Sequence, residues 1–512
     1  PRQEVSTSRE YHRFSAETSA QINLCKHLKK TKGHVPCLIA AKAKLAEMIK
    51  KDKKVWAERY MKYLAKNRKN IWKVMSKKHF DKRIMCIRRN DSSITYDNKE
   101  ICTILNSFYA SVFLISGKPN FDWDNEDGAL MNDIEITREK VSRAIKKTRR
   151  SNGPGPDGLS TAMFKDSDDA LLTPIEILFR KIICTGVVPE AFRLACVTPL
   201  PKKLDSSYAV NTRGINIESV FGKLLEKIIS TEMSQVLEDA DYFPDTQWGF
   251  RRGRGCEGNL DSYHTFLHQS LEDGYMVATC FADLSKAFDV CDHALVLKAV
   301  YDAGIRGTVG KYIEAWLEGR HQYVKFNGET SEKCDVTSSV VQGSNLGPLL
   351  FLLLKNDLND YIKYGVIQDY ADDCKISLKY KDRSELWMLQ EDISGLYQWS
   401  IDKRQKLNSE KTVILNFGGH LDQNILFVNN YPLRVVDEVC DLGLVTNSLM
   451  GFKNHHEEII RKTRIAVNSA KLSTHGADFQ TKRYVYVTYI RSIFSWMSHA
   501  WRNEYVSKAL DQ

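Results

Sequence analysis

The chain has no apolar run near the roughly 18 residues that a membrane-spanning helix needs. Its longest run, Leu349 to Leu354, stops at Lys355. It has no CxxC pair and no Cys/His cluster at zinc spacing; its 12 cysteines are scattered from Cys25 to Cys440. That argues against structural zinc and for a reduced, intracellular protein with buried thiols. No signal peptide opens the sequence, and Pro1 in place of Met points to a fragment or processed product. Repeats and low-complexity segments are also missing. With 28 Gly and 12 Pro among 512 residues and a 43% hydrophobic share, a collagen-like fibre and a disordered tail are excluded.

Charge is present in quantity but unevenly placed. Residues 1–90 hold 25 Lys and Arg against 7 Asp and Glu, net +18, which leaves 49 against 57, net −8, for the rest. A basic arm on a mildly acidic body points to a polyanionic partner, and a solvated basic helix is the plainer alternative.

The length suggests roughly three units of about 150 residues. Residues 1–36 read as a polar, irregular and flexible segment. From Cys37 to about Lys78 there is neither Gly nor Pro, and Leu45, Met48, Ile49, Trp56, Tyr60 and Tyr63 recur at helical spacing among lysines. That predicts one or two long basic amphipathic helices, whose aromatic residues either form a core or stack on bases. A helix is expected over about Asn98–Leu114, and another capped by Thr137 through Val141 and Ile145. The run Ser151–Gly158, rich in Gly and Pro, must be an ordered turn or loop. Mixed helices and strands follow to about residue 450, and the last sixty residues read helical, over Lys453–Leu472 and Gln480–Trp501. Gln322–Phe326, Asn327-Gly328 and Thr330–Val336 read as a hairpin with a two-residue turn.

Two segments carry chemistry. Thr279–Asp289 reads as an apolar strand ending at Asp283 and passing into a helix. Val366–Leu378 reads as a strand, a tight turn bearing Asp372 and Asp373, and a returning strand. Adjacent carboxylates at a hairpin tip repel each other, and a divalent cation removes that cost. If the two strands are neighbours, Asp283 and the Asp372/Asp373 pair converge at one sheet edge. Taken alone, Tyr-x-Asp-Asp is a weak signal, and a solvated turn is its plainer reading.

The order of further motifs changes that weighting. Asn152-Gly-Pro-Gly-Pro-Asp-Gly158, Val197–Lys203, Asn211–Ile215, Lys223–Ile229 and Gln247–Gly253 resemble successive segments of reverse transcriptase fingers. Phe281–Asp289 is similar to motif A, Gln342–Phe351 to motif B, Tyr370-Ala-Asp-Asp373 to motif C, Leu407–Lys411 to motif D, and Asp441–Leu444 to the primer-grip turn. The chain thus resembles the reverse transcriptases of non-LTR, LINE-type retrotransposons over about residues 140–450. The basic helices before them look like the family's linker, and the chain looks like a fragment without the endonuclease.

The resemblance implies an α+β, right-hand polymerase fold: fingers, a palm with an antiparallel sheet, and a helical thumb, preceded by basic helices. The expected divisions are a flexible segment at 1–36, a basic helical extension at 37–136, fingers and palm at 137–450 and a partial thumb at 451–512. It implies an RNA-directed DNA polymerase that adds deoxynucleotides to a primer 3′-hydroxyl with two Mg²⁺ ions, or Mn²⁺. An RNA template, a DNA primer or target and deoxynucleoside triphosphates are the implied partners, with no membrane. The implied setting is a ribonucleoprotein of cytoplasm and nucleus.

Residue by residue, Asp283 and Asp372 would hold the metals beside Asp373, with a carbonyl from Ala282 or Leu284, of which family geometry favours Leu284. Phe288 would close the space beneath the sugar 2′ position, or is an ordinary core ring. Lys202 or Lys203, and Arg213, would meet the triphosphate. Gln342 and Gly343 would approach the templating pair. Lys411 would protonate pyrophosphate, or is a plain surface lysine. Lys53, Lys54, Arg59, Lys62, Arg68 and Lys69 of the basic arm would contact nucleic acid.

The pattern is departed from at Thr212, Gly214, Asn216, Val341, Asn345 and Lys355, the last standing where the family carries an apolar residue. These changes make a weak or inactive remnant that still binds nucleic acid the main alternative. A group II intron maturase or a viral RNA polymerase is a further one. The Leu346–Phe351 run is more similar to the retrotransposon form than to the maturase form, and Phe288 stands where RNA polymerases carry Asp.

Overall fold

The computed structural model describes residues 14–30, 35–66, 84–117, 119–167, 169–202, 205–474 and 477–501. It divides into two compact units: Lys82–Gly451, and a second that joins Pro1–Asp81 with Phe452–Gln512.

The larger unit is α+β and holds two five-stranded sheets. In the first, the strand order is Arg434–Val436, Val413–Phe417, Met276–Ala282, Asp373–Tyr380, Val366–Tyr370. Neighbours run antiparallel, except that the edge strand Arg434–Val436 is parallel to Val413–Phe417. The expected antiparallel sheet is present, with one parallel strand added at its edge.

The central strand is covered on both faces, which explains its small and β-branched residues. Val277 and Phe281 pack with Tyr263 and Leu267 of helix Cys256–Glu272. Ala278, Cys280 and Ala282 turn instead into the main core. There the apolar run finds its place, because helix Gly347–Lys355 buries every residue from Leu349 to Leu354. Each such leucine contributes about 1.5–3 kcal/mol through burial. No helix among the described residues is long and apolar enough to cross a membrane.

The second sheet runs Thr212–Ile217, Leu194–Pro201, His321–Phe326, Glu329–Thr330, with Cys334–Asp335 also pairing on His321–Phe326. Leu194–Pro201 and His321–Phe326 are parallel. Phe326 pairs with Glu329 across Asn327 and Gly328, both at positive φ, which is the two-residue primed turn the right-handed strand twist favours. Helix Asn98–Ala110 is capped by Asp97 and buries Ile101, Cys102 and Leu105 against Val197 and Val324. Thr137 caps Arg138–Lys147 by accepting the Lys140 N–H. The Gly/Pro run is an ordered turn, closed by Gly155 N–H to the Leu159 carbonyl at 2.8 Å.

One local expectation is corrected. No helix follows Asp283 directly: Ser285–Val290 turns, with Lys286 at φ +53°, and the helix begins at His293 under an Asp292 cap. Gly214 lies inside strand Thr212–Ile217, and a Cβ there would meet Val197 at 2.6 Å and Tyr109 at 3.3 Å.

In the smaller unit, helix Ala16–Lys30 forms within the stretch before residue 37 that was expected to be irregular; residues 1–13 and 31–34 of that stretch lie outside the described residues. Ser15 starts it by accepting the Thr18 N–H, and Ser15 also donates to Asp52 on helix Val35–Lys66. Helix Lys453–Ser473 contributes Ala466 and Ala470 to a small core with Val485 and Ile490. The second C-terminal stretch is broken into Phe479–Val485, a π-turn at Tyr486–Ile490, and Arg491–Ser495 and Ser498–Trp501.

Candidate active site

Strands Met276–Ala282 and Asp373–Tyr380 are direct neighbours, with Ala282 opposite Cys374. The residue that leaves the first strand, Asp283, therefore emerges beside the residue that enters the second, Asp373. Val366–Tyr370 pairs with Asp373–Tyr380 through a two-residue turn, Ala371-Asp372, so Asp372 alone of the two acids sits at the tip. Asp283 and Asp372 both line a cleft of about 840 Å³. Asp283 and Asp373 share a smaller recess of about 170 Å³ with Lys375, Lys411 and Asp441.

The hairpin tip is held from several sides. Ala371 is buried and takes φ +58°, a left-handed conformation that costs a non-glycine residue about 1–2 kcal/mol. Its N–H donates to Oε1 of the buried Gln247 at 3.2 Å, and its carbonyl accepts from Nζ of Lys355 at 2.9 Å. Gly249 permits this approach, since a Cβ there would stand 2.3 Å from the Ala371 nitrogen. Asp369 N–H bonds the Thr246 carbonyl and Trp248 N–H bonds the Asp369 carbonyl, both at 2.9 Å.

Electrostatics mark the same place. Burial, then Asp372 and Asp441, with Asp283 adding to them, push the Asp373 carboxyl up to about 6, and Lys355 opposes them. Lys411 places its ammonium 3.1 Å from Asp283 Oδ2, so a cation already offsets that carboxylate. Burial lowers the Lys355 ammonium, but Asp369, with Cys374 and Asp372, outweighs it and the net shift is upward. Among the described residues, no three acidic, His or Cys side chains are gathered closely enough to cage a metal by themselves. The donors fit a cation held by one or two hard carboxylates and completed by phosphate and water, as Mg²⁺ prefers.

The remaining candidates lie as follows. Phe288 lines the cleft and stacks on Phe351, with centroids 4.8 Å apart and 18° between planes, so it is both a cleft wall and part of the packing. Lys202, Arg213, Gln342, Leu284 and Lys411 line the cleft as well. Partial burial, then Arg213 nearby, holds the Lys202 ammonium below its ordinary value. Lys203 lies outside the described residues. Gly343 does not line the cleft; it takes φ +117°, and a Cβ would stand 2.9 Å from the Asn216 carbonyl. Gln342 accepts the Asn216 N–H at 3.3 Å, which joins the two sequence motifs. Lys53 and Lys54 are exposed on helix Val35–Lys66. Arg59 and Lys62 fall on that helix, but their side chains, and all of Arg68 and Lys69, lie outside the described residues.

Sequence reading alone missed two groups. Asp289 lines the cleft with Lys286, Lys202 and Arg213; burial raises its carboxyl and these three cations oppose the shift. Its place at the end of the Phe281–Asp289 segment was the available signal. Gln247 opens the Gln247–Gly253 segment, but nothing in the sequence tells that its amide reaches Ala371. Lys375 and Asp441 form a buried ion pair that ties the Asp441–Leu444 turn to the central sheet, with the Lys375 ammonium 4.5 Å from the Tyr263 ring centroid.

Residues 200–473, more than half of the chain, match the family model described as reverse transcriptase (RNA-dependent DNA polymerase). The chain is 26% identical over 331 residues to the RNA-directed DNA polymerase from mobile element jockey of Drosophila funebris, covering 62% of this chain and 36% of that protein. It is 25% identical over 370 residues to the probable RNA-directed DNA polymerase from transposon X-element of Drosophila melanogaster, covering 68% and 39%. To the putative 115 kDa protein in type-1 retrotransposable element R1DM of the same fly it is 29% identical over 332 residues, covering 63% and 31%. It thus spans about a third of the length of these curated relatives. The chain belongs to the reverse transcriptases, in the branch carried by non-LTR, LINE-type retrotransposons.

Proposed function

We propose that this chain is an RNA-directed DNA polymerase that extends a DNA primer on an RNA template with deoxynucleoside triphosphates, as part of retrotransposon replication. The observation that carries the reading is the delivery of Asp283 and Asp372 to one cleft by two neighbouring strands. These two carboxylates would hold the Mg²⁺ ions, or Mn²⁺, with Asp373 adding negative charge and the Leu284 carbonyl as a further ligand. Bound there, such ions would supply activation of the primer hydroxyl and charge stabilisation of the leaving pyrophosphate.

The chain's own groups do the rest. Lys202, Lys203 and Arg213 receive the triphosphate, because ammonium and guanidinium groups complement phosphate oxygens. Phe288, backed by the buried Phe351, closes the wall of the cleft against a 2′-hydroxyl. The backbone at Gln342 and Gly343 meets the templating pair. Lys411 hands a proton to the departing pyrophosphate. The basic residues of the first helices track the nucleic-acid backbone inside a ribonucleoprotein.

Four of the six departures from the family pattern, Thr212, Gly214, Asn345 and Lys355, are accommodated in this fold, which favours a working enzyme over a decayed remnant. Asn345 donates its N–H to Glu226 at 2.9 Å and its amide to the Lys223 carbonyl at 2.8 Å. Thr212 Oγ1 meets the Tyr109 hydroxyl at 2.8 Å, and Gly214 leaves the space that Val197 and the same tyrosine fill. Lys355 meets Asp369. The test is extension of oligo(dT) on poly(rA) with dTTP and Mg²⁺, with Asp372→Ala as the inactive control.

A further inference from the structure

We propose that the buried Lys355–Asp369 ion pair is a positioning device for the Tyr370–Asp373 hairpin, holding Ala371 so that Asp372 presents its carboxylate to the cleft. This rests on the polymerase reading above. Lys355 Nζ lies 2.9 Å from Asp369 Oδ1, and the two side chains keep only 1% and 4% of their surface exposed. The same ammonium donates to the Ala371 carbonyl at 2.9 Å.

Stability does not explain this arrangement. Lys355 ends a helix in which Leu349 to Leu354 are all buried, so an apolar residue would suit the site. Replacing a buried ion pair by packed apolar residues is often neutral or stabilising, because both charges must be desolvated. What a leucine cannot do is donate a hydrogen bond to a carbonyl.

The target of that bond is the strained residue of the hairpin. Ala371 takes φ +58°, and each of its backbone polar groups is held by a buried side chain, Gln247 on the N–H and Lys355 on the carbonyl. Asp369 is itself fixed, because Thr246 and Trp248 engage its N–H and carbonyl. A fixed Asp369 therefore orients the Lys355 ammonium, and the ammonium orients the peptide immediately before Asp372. Strained backbone persists only where its surroundings over-determine it. Lys355 and Asp369 are thus a matched pair: either charge alone would be buried without its partner.

Lys355→Met alone would leave the Asp369 charge uncompensated and risks misfolding, so the decisive variant is Lys355→Met/Asp369→Leu in the full chain. Hydrogen exchange of the amides of Ala371–Asp373 is measured without nucleic acid, beside thermal unfolding and steady-state primer extension. The unfolding midpoint is expected within about 5 °C of wild type, since the pair adds little net stability. Exchange at residues 371–373 rises about tenfold while the rest of the sheet is unchanged. In extension, kcat falls about tenfold and KM for dTTP moves less than about threefold, as misplacement of a reacting group requires. Unchanged exchange overturns the proposal whatever the activity. Faster exchange with an unchanged kcat overturns it too, by making the pair purely structural. Faster exchange in a protein whose wild type extends no primer supports the hairpin clamp and defeats the polymerase reading instead.

Discussion

The Lys411 ammonium lies 3.1 Å from Oδ2 of Asp283 and 3.4 Å from Oδ1, so one of the two cleft carboxylates meets a side-chain cation before any metal arrives. The pair is open to water, with the lysine 65% and the aspartate 36% exposed. Exposed pairs contribute about 0–1 kcal/mol, so this contact adds little to the fold. On the proposed reading its value would lie in placing a proton donor beside the reacting phosphates. Lys411→Ala should leave the unfolding midpoint nearly unchanged and lower kcat for primer extension by about 10²-fold, within the range a positioned acid supplies. Pre-steady-state incorporation of dTTP checks it.

Phe288 stacks on Phe351, meets Phe250 in an edge-type contact and lines the cleft. Phe288→Val keeps an apolar residue there but shortens the wall. Discrimination between dTTP and UTP should fall by at least about tenfold, the scale on which a steric pocket rejects an added group. The ratio of kcat/KM for the two nucleotides measures it directly.

His264 supplies a pH dependence separate from catalysis. Burial, and then the nearby Lys375, pulls its imidazole down to about 4 from an ordinary value of 6.5. Between those values the unfolded chain takes up a proton that the folded chain refuses. The contribution is therefore complete above about pH 6.5 and is lost as pH falls towards 4. In His264→Asn, the loss of unfolding free energy between pH 7 and pH 4.5 should shrink by on the order of 2–3 kcal/mol. Urea unfolding at the two pH values checks this.

Much of the site could be read from sequence because its signals are local. An apolar strand ending in Asp283, and two β-rich runs separated by a Tyr-Ala-Asp-Asp turn, announce themselves within a dozen residues. Thr137 and the Asn327-Gly328 turn were legible for the same reason. Helix Ala16–Lys30 was not, because its polar sequence shows weak periodicity; the one signal was Ser15 three residues before Thr18, a capping pattern. The parallel edge strand Arg434–Val436 and the joining of the two chain ends are products of long-range packing. Lys355 stood out as a misplaced charge, but its partner is 14 residues away on another element, and nothing in the sequence says that either is buried.

The basic arm should bind through counterion release. Lys53 and Lys54 are exposed on one helix, and each phosphate neutralised contributes a slope of about −0.7 to −0.9 in log K against log salt. Lys53→Ala/Lys54→Ala should weaken RNA binding and make that slope shallower by about 1–2. Fluorescence anisotropy over a salt series is the measurement; an unaltered slope would remove these two lysines from the interface.

The most direct measurement is primer extension on an RNA template with Mg²⁺, comparing wild type with Asp283→Asn and Asp372→Asn, each shown to be folded. The wild type should extend the primer with dTTP, and each variant should lose at least about 10³-fold in kcat, since in the proposed reading both carboxylates would hold the metals that lower the barrier. Equal extension by all three proteins, or none by a folded wild type, would contradict the assignment of these residues as a working polymerase centre.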